Sequence, residues 1–225
     1  MRTLLTARHV VGHDNGRHCL IENGEVVIEA DRILFVGRKF PGEVAQRHDF
    51  GLSLLGPGLI DLDALSDLDT TILGTDTWPP DLVVNMQVGV LLGRVADGTA
   101  ANTRAADLYD AATIGGADAL QRPDLGRLMP GAQADITVFD FSHPLIGRVI
   151  DPIQTLLIGA AGRDVRDVFV AGRHVVQNGT LPGFDLAAAH ACAQAQFDEL
   201  VAKYPERTWK HPPVAQIFQP SYPKR

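Results

Sequence analysis

Gly56-Pro57-Gly58-Leu59-Ile60-Asp61 and Ile72-Leu73-Gly74-Thr75-Asp76 are the two stretches that decide the fold. Each is a short apolar run that ends on an aspartate, a pattern typical of a buried strand with a carboxylate at its end. Only Asp61 to Thr71 separate Ile60 from Ile72. About five extended residues are enough to return over a strand of about 17 Å. The connection is therefore long enough for the two stretches to lie side by side and parallel without a helix between them.

Composition sets the class of protein. The chain has 225 residues, of which 45% are hydrophobic and 21% charged, so it can form one sizeable globular domain or two small ones. Its formal charge of -7 disfavours nucleic acid and anionic lipid as partners. No apolar run approaches the roughly 20 residues that span a bilayer, and the short apolar start predicts no signal peptide. These features predict a cytoplasmic protein without a membrane partner.

The two cysteines and the glycine pattern exclude some kinds of site. Cys19 and Cys192 are far apart and form no Cys-x-x-Cys motif, which predicts two reduced, structural thiols rather than a disulfide framework or a thiolate metal site. The sequence has no Gly-x-Gly-x-x-Gly or Walker pattern, so it does not indicate a nucleotide cofactor.

The first 56 residues are predicted to form a small antiparallel sheet. Strands are expected at 19–22 and 25–29, joined by a tight turn at Asn23-Gly24, because this dipeptide accepts the positive φ values of a hairpin. Further strands are predicted at 32–37 and 52–55.

The middle of the chain changes to helical spacing. Pro79-Pro80 suits the start of a helix that continues to about Val95. Because this helix is apolar on more than one face, it is expected to be covered on more than one side. A second helix is predicted from Thr103, as its N-cap, to about Leu120. A last helix is expected over 185–202, before a proline-rich tail that cannot be helical.

Strand patterns return after Gly131. They cover 134–141, 167–170 and 173–176, with turns at Ala171-Gly172 and Asn178-Gly179.

Taken in order, six segments resemble the amidohydrolase superfamily, and most closely its cytosine-deaminase-like and triazine-hydrolase-like members. The matching segments are Ala30–Gly37, Gly56–Asp61, Leu73–Asp76, Ala111–Leu120, Gly126–Ile136 and Val165–Arg173. Together they extend over most of residues 25 to 180, and the set is far more specific than any one segment.

This resemblance implies an α/β architecture in two parts. Residues 1–56 and 130–180 would form one composite β-sandwich domain from the two flanks of the chain, and residues 57–129 would be the remnant of a (β/α)8 barrel. Residues 181–225 would add the C-terminal helix and the tail. A complete barrel takes roughly 250 residues, so most of its units would be missing between the first and last strands.

The resemblance also implies a metal-dependent hydrolase of cyclic, non-peptide C–N bonds, acting by ring deamination or amide hydrolysis on a small heterocyclic substrate. Members of the superfamily hold zinc or iron through a His-x-His after the first strand, later histidines, and an aspartate that ends the last strand and acts as general base. Asp76 matches that aspartate as metal ligand and catalytic residue. The His-x-His positions, however, are Asp63-Ala64-Leu65. One carboxylate cannot retain zinc where catalytic sites use three protein ligands.

Other residues suggest weaker alternatives. A group of aspartates could offer oxygens to a hard cation, although a solvated acidic loop is the favoured interpretation; the group is Asp61, Asp63, Asp67, Asp69, Asp76 and Asp81. Trp78 could stack on a heterocycle, with packing favoured. His143 lies in Ser142-His143-Pro144 without a nucleophile elbow, which favours a turn residue. The other histidines are interpreted as surface or sandwich residues, namely His9, His13, His18, His48, His174, His190 and His211.

Two functions from different classes follow. The first is an enzyme, a C–N hydrolase whose metal site would need unrecognised ligands or a partner chain. The second is a catalytically inactive remnant that acts as a binding or assembly module or has no selected role. Losing its barrel neighbours would leave the remnant exposed, disordered or buried by self-association, which keeps a homo-oligomer open.

Overall fold

The fold is taken from a computed structural model, which describes residues 1–62, 73–75, 80–207, 210, 212–217, 219 and 221–222, with the side chains of 205–207 excepted. The described residues form two compact units, Met1–Pro182 and Gly183–Arg225. The finer division at residues 56, 129 and 180 stays a prediction.

The first unit is built on a sheet of eight strands. The strands are β1 (Arg2–Asp14), β2 (Arg17–Glu29), β3 (Arg32–Gly37), β4 (Gln46–Asp49), β5 (Ser53–Pro57), β6 (Ile136–Asp140), β7 (Val165–Val170) and β8 (Arg173–Val176). Their order is β3-β2-β1-β5-β6-β7-β8, with β4 also paired to β1. The β5–β6 pair joins the two ends of this unit in one sheet. All eight strands pair in this single sheet, and the division into a composite sandwich stays a prediction.

Along the described part of the chain, the first four helical segments of the first unit come between β5 and β6, and the last two come between β6 and β7. They are α1 (Leu82–Asp97), α2 (Ala105–Asp110), a π-helical turn (Ala111–Gly115), α3 (Gly116–Ala119), α4 (Pro152–Gly159) and a 3-10 turn (Gly162–Asp164). The second unit contains α5 (Leu186–Arg207) and α6 (Val214–Ile217). In the part of the chain that the structure describes, no helix has the length and apolar character needed to cross a membrane.

The β1–β2 turn is not where the sequence predicted it. Asn15 and Gly16 make the reversal, with φ values of 49° and 77°, whereas β2 runs unbroken through Asn23-Gly24. Asn23 keeps a left-handed φ of 49° inside the strand, and Gly24 lies opposite Ala7. The predicted hairpin turn at Asn23-Gly24 is therefore wrong. A side chain at Gly24 would approach Val10 to 2.7 Å, so close packing accounts for this glycine.

The second predicted helix is also divided. Arg104, not Thr103, is the N-cap of α2, and the Thr103 hydroxyl instead donates to Asp97 at 2.8 Å. The helix widens into the π-helical turn where the Ala112 carbonyl accepts a hydrogen bond from the Ile60 N–H at 2.8 Å. The Leu59–Asp61 segment is thereby fixed to this helix by its backbone.

Two apolar clusters cover the sheet. Because side chains alternate along a strand, Leu54 enters the cluster beneath α1, α2 and α4, and Leu55 enters the cluster on the opposite face. On β6, Phe139 likewise lies in the first of these clusters and Val138 in the second.

Helix α1 is buried on one face only, so the expectation that it is covered on more than one side is wrong. Val83, Met86 and Val90 pack in the cluster that includes Leu54 and Phe139, so the expectation of an uncovered remnant is wrong for this face. The reason is that one face of the sheet is apolar, and the helices that follow Leu73 in the chain can pack against it. The outer face carries a row of exposed apolar side chains, Val88, Leu91, Leu92 and Val95.

Candidate functional site

The predicted site begins where the Leu59–Asp61 segment ends. The Leu62 N–H donates to the Leu73 carbonyl at 3.2 Å, so the two stretches that decide the fold lie side by side here. The Asp61 carboxylate accepts hydrogen bonds from the Thr75 N–H at 3.0 Å and from the Thr75 hydroxyl at 2.5 Å. Asp61 therefore fastens one segment to the other.

Asp76, the predicted catalytic residue and metal ligand, lies outside the described residues. The same is true of Trp78, His211 and the aspartates at 63, 67 and 69. The roles suggested for these residues stay predictions.

Asp81 serves as a helix cap. Its Oδ1 accepts hydrogen bonds from the backbone N–H groups of Val83 and Val84, at 3.0 and 3.1 Å, which are the donors left unpaired at the start of α1. Its Oδ2 accepts another from the Gly162 N–H at 2.9 Å. The carboxylate thus joins α1 to the 3-10 turn, and this structural role accounts for one aspartate of the acidic group.

His143 is a turn residue, as the sequence favoured. Its Nδ1 accepts a hydrogen bond from the Leu145 N–H at 3.3 Å, and its carbonyl accepts one from the Ile146 N–H at 3.0 Å. The neighbouring Ser142 N–H is bound by Asp140 at 2.8 Å. These contacts close a local loop.

His18 is a histidine that no sequence pattern singles out. Its side chain is only 10% exposed, and its Nε2 lies 3.0 Å from the Thr113 hydroxyl oxygen. Because that hydroxyl donates its own hydrogen to the Tyr109 carbonyl at 2.6 Å, it can only accept from His18. The proton of the neutral ring is therefore on Nε2. Nδ1 is buried and has no hydrogen-bond partner among the described residues.

The environment of His18 favours this neutral ring. Burial, followed by the charge of His13, lowers its pKa to about 4, and the backbone of Gly12 acts in the opposite direction. Asp110 has an oxygen 3.8 Å from Nε2, which is too far for a hydrogen bond. Burial also raises the pKa of Asp110, and the charge of Asp107 adds to the effect.

We expect His18 to make stability depend on pH. Its pKa is about 4 in the folded state and about 6.5 in the unfolded state, so between these values the unfolded chain binds the extra proton. The free energy of unfolding should therefore fall as the pH falls from about 6.5 to about 4, by up to about 3 kcal/mol. Urea denaturation across this range measures the effect. His18→Gln should flatten the profile, whereas His190→Gln, at an exposed position of α5, should leave it unchanged. An unaltered slope in His18→Gln would contradict the expectation.

A second polar cluster joins β7 to β8. Asp167 is 2% exposed, and its Oδ1 lies 2.7 Å from Nε2 of His174. Its Oδ2 lies 3.3 Å from Nε of Arg166. The His174 ring stacks on Phe169 with the ring centres 4.2 Å apart, and His48 meets the edge of this stack at 5.4 Å. The cluster thus combines a buried carboxylate, its hydrogen bond to His174 and its ion pair with the partly exposed Arg166 with aromatic packing.

The donors present do not form a zinc centre in the described part of the chain. There, no group of three or more His, Cys, Asp or Glu side chains is arranged to hold a metal ion. Both oxygens of Asp61 already accept hydrogen bonds from Thr75, and both oxygens of Asp81 from backbone groups. Since a catalytic zinc needs three protein ligands, these residues do not fit one.

Comparison with known proteins identifies the class. The model of the amidohydrolase family matches residues 18–175, so this chain belongs to the amidohydrolase family. The mixed α/β fold agrees with this assignment. An adenosine deaminase from Xanthomonas campestris, solved with bound zinc, superposes with a TM-score of 0.75 at 13% identity, over 88% of this chain and 98% of that one. At this identity the likeness concerns the fold alone.

The relatives similar in sequence are named as deaminases. A 5-methylthioadenosine/S-adenosylhomocysteine deaminase from Nitratidesulfovibrio vulgaris is 43% identical over 84 residues, which are 37% of this chain and 19% of that protein. The enzyme of the same name from Halobacterium salinarum is 32% identical over 154 residues, 66% of this chain and 36% of that protein. The chain thus spans well under half the length of these relatives.

Proposed function

We propose that this chain is related by descent to metal-dependent hydrolases of non-peptide C–N bonds, the ring deaminases in particular, and that by itself it does not turn over a substrate. The relatives' names support the reaction class, with a small nucleoside or purine-like heterocycle as the inherited substrate. Zinc would be the inherited metal, with Asp76 as its surviving ligand and general base.

The second part of the proposal is that the chain by itself does not turn over a substrate. It is supported by the contact between the two stretches that decide the fold. The Leu62 N–H binds the Leu73 carbonyl, and Asp61 binds Thr75 twice. The family resemblance calls for a His-x-His at positions 63–65, whereas the sequence there is Asp63-Ala64-Leu65. The imidazole ligands that would accompany Asp76 are thus replaced by side chains that cannot bind zinc in their place, apart from the single carboxylate of Asp63.

Metal content and turnover test this proposal together. We expect clearly substoichiometric zinc, iron and manganese by mass spectrometry after purification in metal-supplemented medium. We also expect no ammonia release from 5-methylthioadenosine or S-adenosylhomocysteine. The physical reason is that a divalent ion held by one or two carboxylates exchanges readily with solvent ions and buffers.

The matched variants are Asp76→Asn and Asp140→Asn, the latter changing a carboxylate that binds the Ser142 N–H. Neither should alter the metal content. Near-stoichiometric zinc that disappears in Asp76→Asn and remains in Asp140→Asn would contradict the proposal and support the interpretation of the chain as an active enzyme.

The alternative is a binding or assembly module, and one observation favours it. The outer face of α1 exposes Val88, Leu91, Leu92 and Val95, with Leu91 61% and Val95 78% accessible. Side chains at these spacings form one apolar row along a helix. A row of this kind suits association through helix packing, and it is compatible with the metal-free result expected above.

A further inference from the structure

A cavity of about 580 Å³ lies between the β1–β2 hairpin and the helices α1, α2 and α4. This volume falls within the range of about 300 to 1,000 Å³ that is usual for small-molecule sites. The cavity contains neither Asp61 nor Thr75, so the site proposed above does not use it. Its floor is apolar, and consists of Val11, Leu20, Tyr109 and Ile153.

Four charged side chains line the cavity, and two of them are already engaged. Arg104 is held by Asp107 through several hydrogen bonds, including Nε to Oδ2 at 3.1 Å. Asp151 caps α4, where its Oδ1 accepts from the Ile153 and Gln154 N–H groups at 2.9 and 3.0 Å. These two charges need no ligand.

The other two charges form no hydrogen-bonded ion pair among the described residues. Arg94 contacts only the Thr103 carbonyl, with Nε at 3.4 Å, and forms no ion pair there. The Asp110 carboxylate accepts no hydrogen bond from a described group, and His18, 3.8 Å away, is uncharged at neutral pH. Arg104, whose charge favours the ionised carboxylate of Asp110, is already held by Asp107. One cation and one anion thus remain over an apolar floor.

This arrangement discriminates between classes of ligand. A simple anion would pair with Arg94 but would meet Asp110 without a counter-charge. A simple cation would pair with Asp110 but would leave Arg94 without a counter-charge. A neutral apolar molecule would take water from both charges and leave each unpaired, which costs free energy. A molecule with a carboxylate, an ammonium group and an apolar body satisfies all three surfaces.

We propose that this cavity binds a small zwitterion with an apolar body, such as a free hydrophobic or aromatic α-amino acid. Its carboxylate pairs with Arg94 and its ammonium group with Asp110. Its side chain lies against Val11, Tyr109 and Ile153. Binding gives charge-assisted hydrogen bonds to both unengaged groups, and such bonds are roughly twice as strong as neutral ones.

Titration of the whole chain with three related probes tests this proposal without any mutation. The probes are L-phenylalanine, 3-phenylpropionate, which lacks the ammonium group, and phenethylamine, which lacks the carboxylate. We expect L-phenylalanine to bind with a Kd near or below about 1 mM by calorimetry or NMR, and each truncated probe to bind about tenfold more weakly. Absence of L-phenylalanine binding up to about ten times that concentration, or equal affinity for all three probes, would overturn the proposal.

Variants then assign the two charges. Arg94→Gln should weaken L-phenylalanine and 3-phenylpropionate about tenfold and leave phenethylamine unchanged, while Asp110→Asn should weaken L-phenylalanine and phenethylamine and spare 3-phenylpropionate. Ala106→Trp, at an exposed lining position, should block all three by filling the cavity. Glu29→Gln, in an exposed ion pair with Arg2, is the control of matched charge change. Binding that is unaffected by the three cavity variants would place the ligand elsewhere and overturn the assignment.

Discussion

Replacing Gly126 with alanine is expected to lower the free energy of unfolding by about 2 to 5 kcal/mol, a large part of the stability of an ordinary domain. Gly126 has a φ of +64°, which costs a residue with a Cβ atom about 1 to 2 kcal/mol. The added methyl group would also lie 2.3 Å from the carbonyl oxygen of Thr113 and 3.1 Å from Cβ of Ala117. Relieving that clash requires the π-helical turn to move, at a further cost of about 1 to 3 kcal/mol.

Gly131 provides the matched control within the same segment. Its φ is +88°, but a methyl group there would meet no atom within 4 Å. Gly131→Ala should therefore cost only the conformational part, about 1 to 2 kcal/mol. Urea midpoints with unchanged slopes would measure both values. Equal losses in the two variants would mean that the contact with Thr113 contributes nothing.

Replacing Asp167 with alanine is expected to lower the free energy of unfolding by about 3 kcal/mol. Removing one partner of a buried ion pair usually costs about 3 to 5 kcal/mol, because the remaining charges lose their counter-charge. The lower end applies because the His174 side chain remains 21% exposed, so water can reach part of the ring. The change would leave His174 and Arg166 without the carboxylate that holds β7 to β8.

Two comparisons make the Asp167 prediction specific. Asp167→Asn keeps the shape of the side chain and one acceptor oxygen for His174, so it should cost clearly less than alanine. Glu29→Ala breaks an exposed ion pair with Arg2 and should cost about 0.5 kcal/mol. A loss for Asp167→Ala as small as that for Glu29→Ala, measured by the same denaturation, would argue that the cluster is not a structural support.

Local signals in the sequence were sufficient for several elements. The strands at 32–37 and 173–176 begin and end where the short runs of strand-forming residues and their flanking turns predicted. Ala171-Gly172 and Asn178-Gly179 adopt the left-handed values expected of turns. These elements were predictable because each depends on the conformational preferences of a few neighbouring residues.

The candidate site was predictable only in part. The family and the adjacency of the two deciding stretches followed from the sequence, because these depend on the order of motifs. The His18 environment did not follow, because its partners Thr113 and Asp110 are far away along the chain and no spacing rule connects them. Arg104 and Asp107, by contrast, are three residues apart, a spacing at which opposite charges on a helix commonly pair.

The sequence by itself determined the family, the sites of most strands and the start of α1, since these depend on local propensity and on a specific succession of motifs. Only the tertiary structure decided whether Asn15-Gly16 or Asn23-Gly24 reverses the chain between β1 and β2. Both tolerate a positive φ, and the pairing of β1 with β2 places the reversal at Asn15-Gly16. The tertiary structure also decided the charge state of His18 and the burial of Asp167, because burial and ion pairing depend on residues that meet only after the chain has folded.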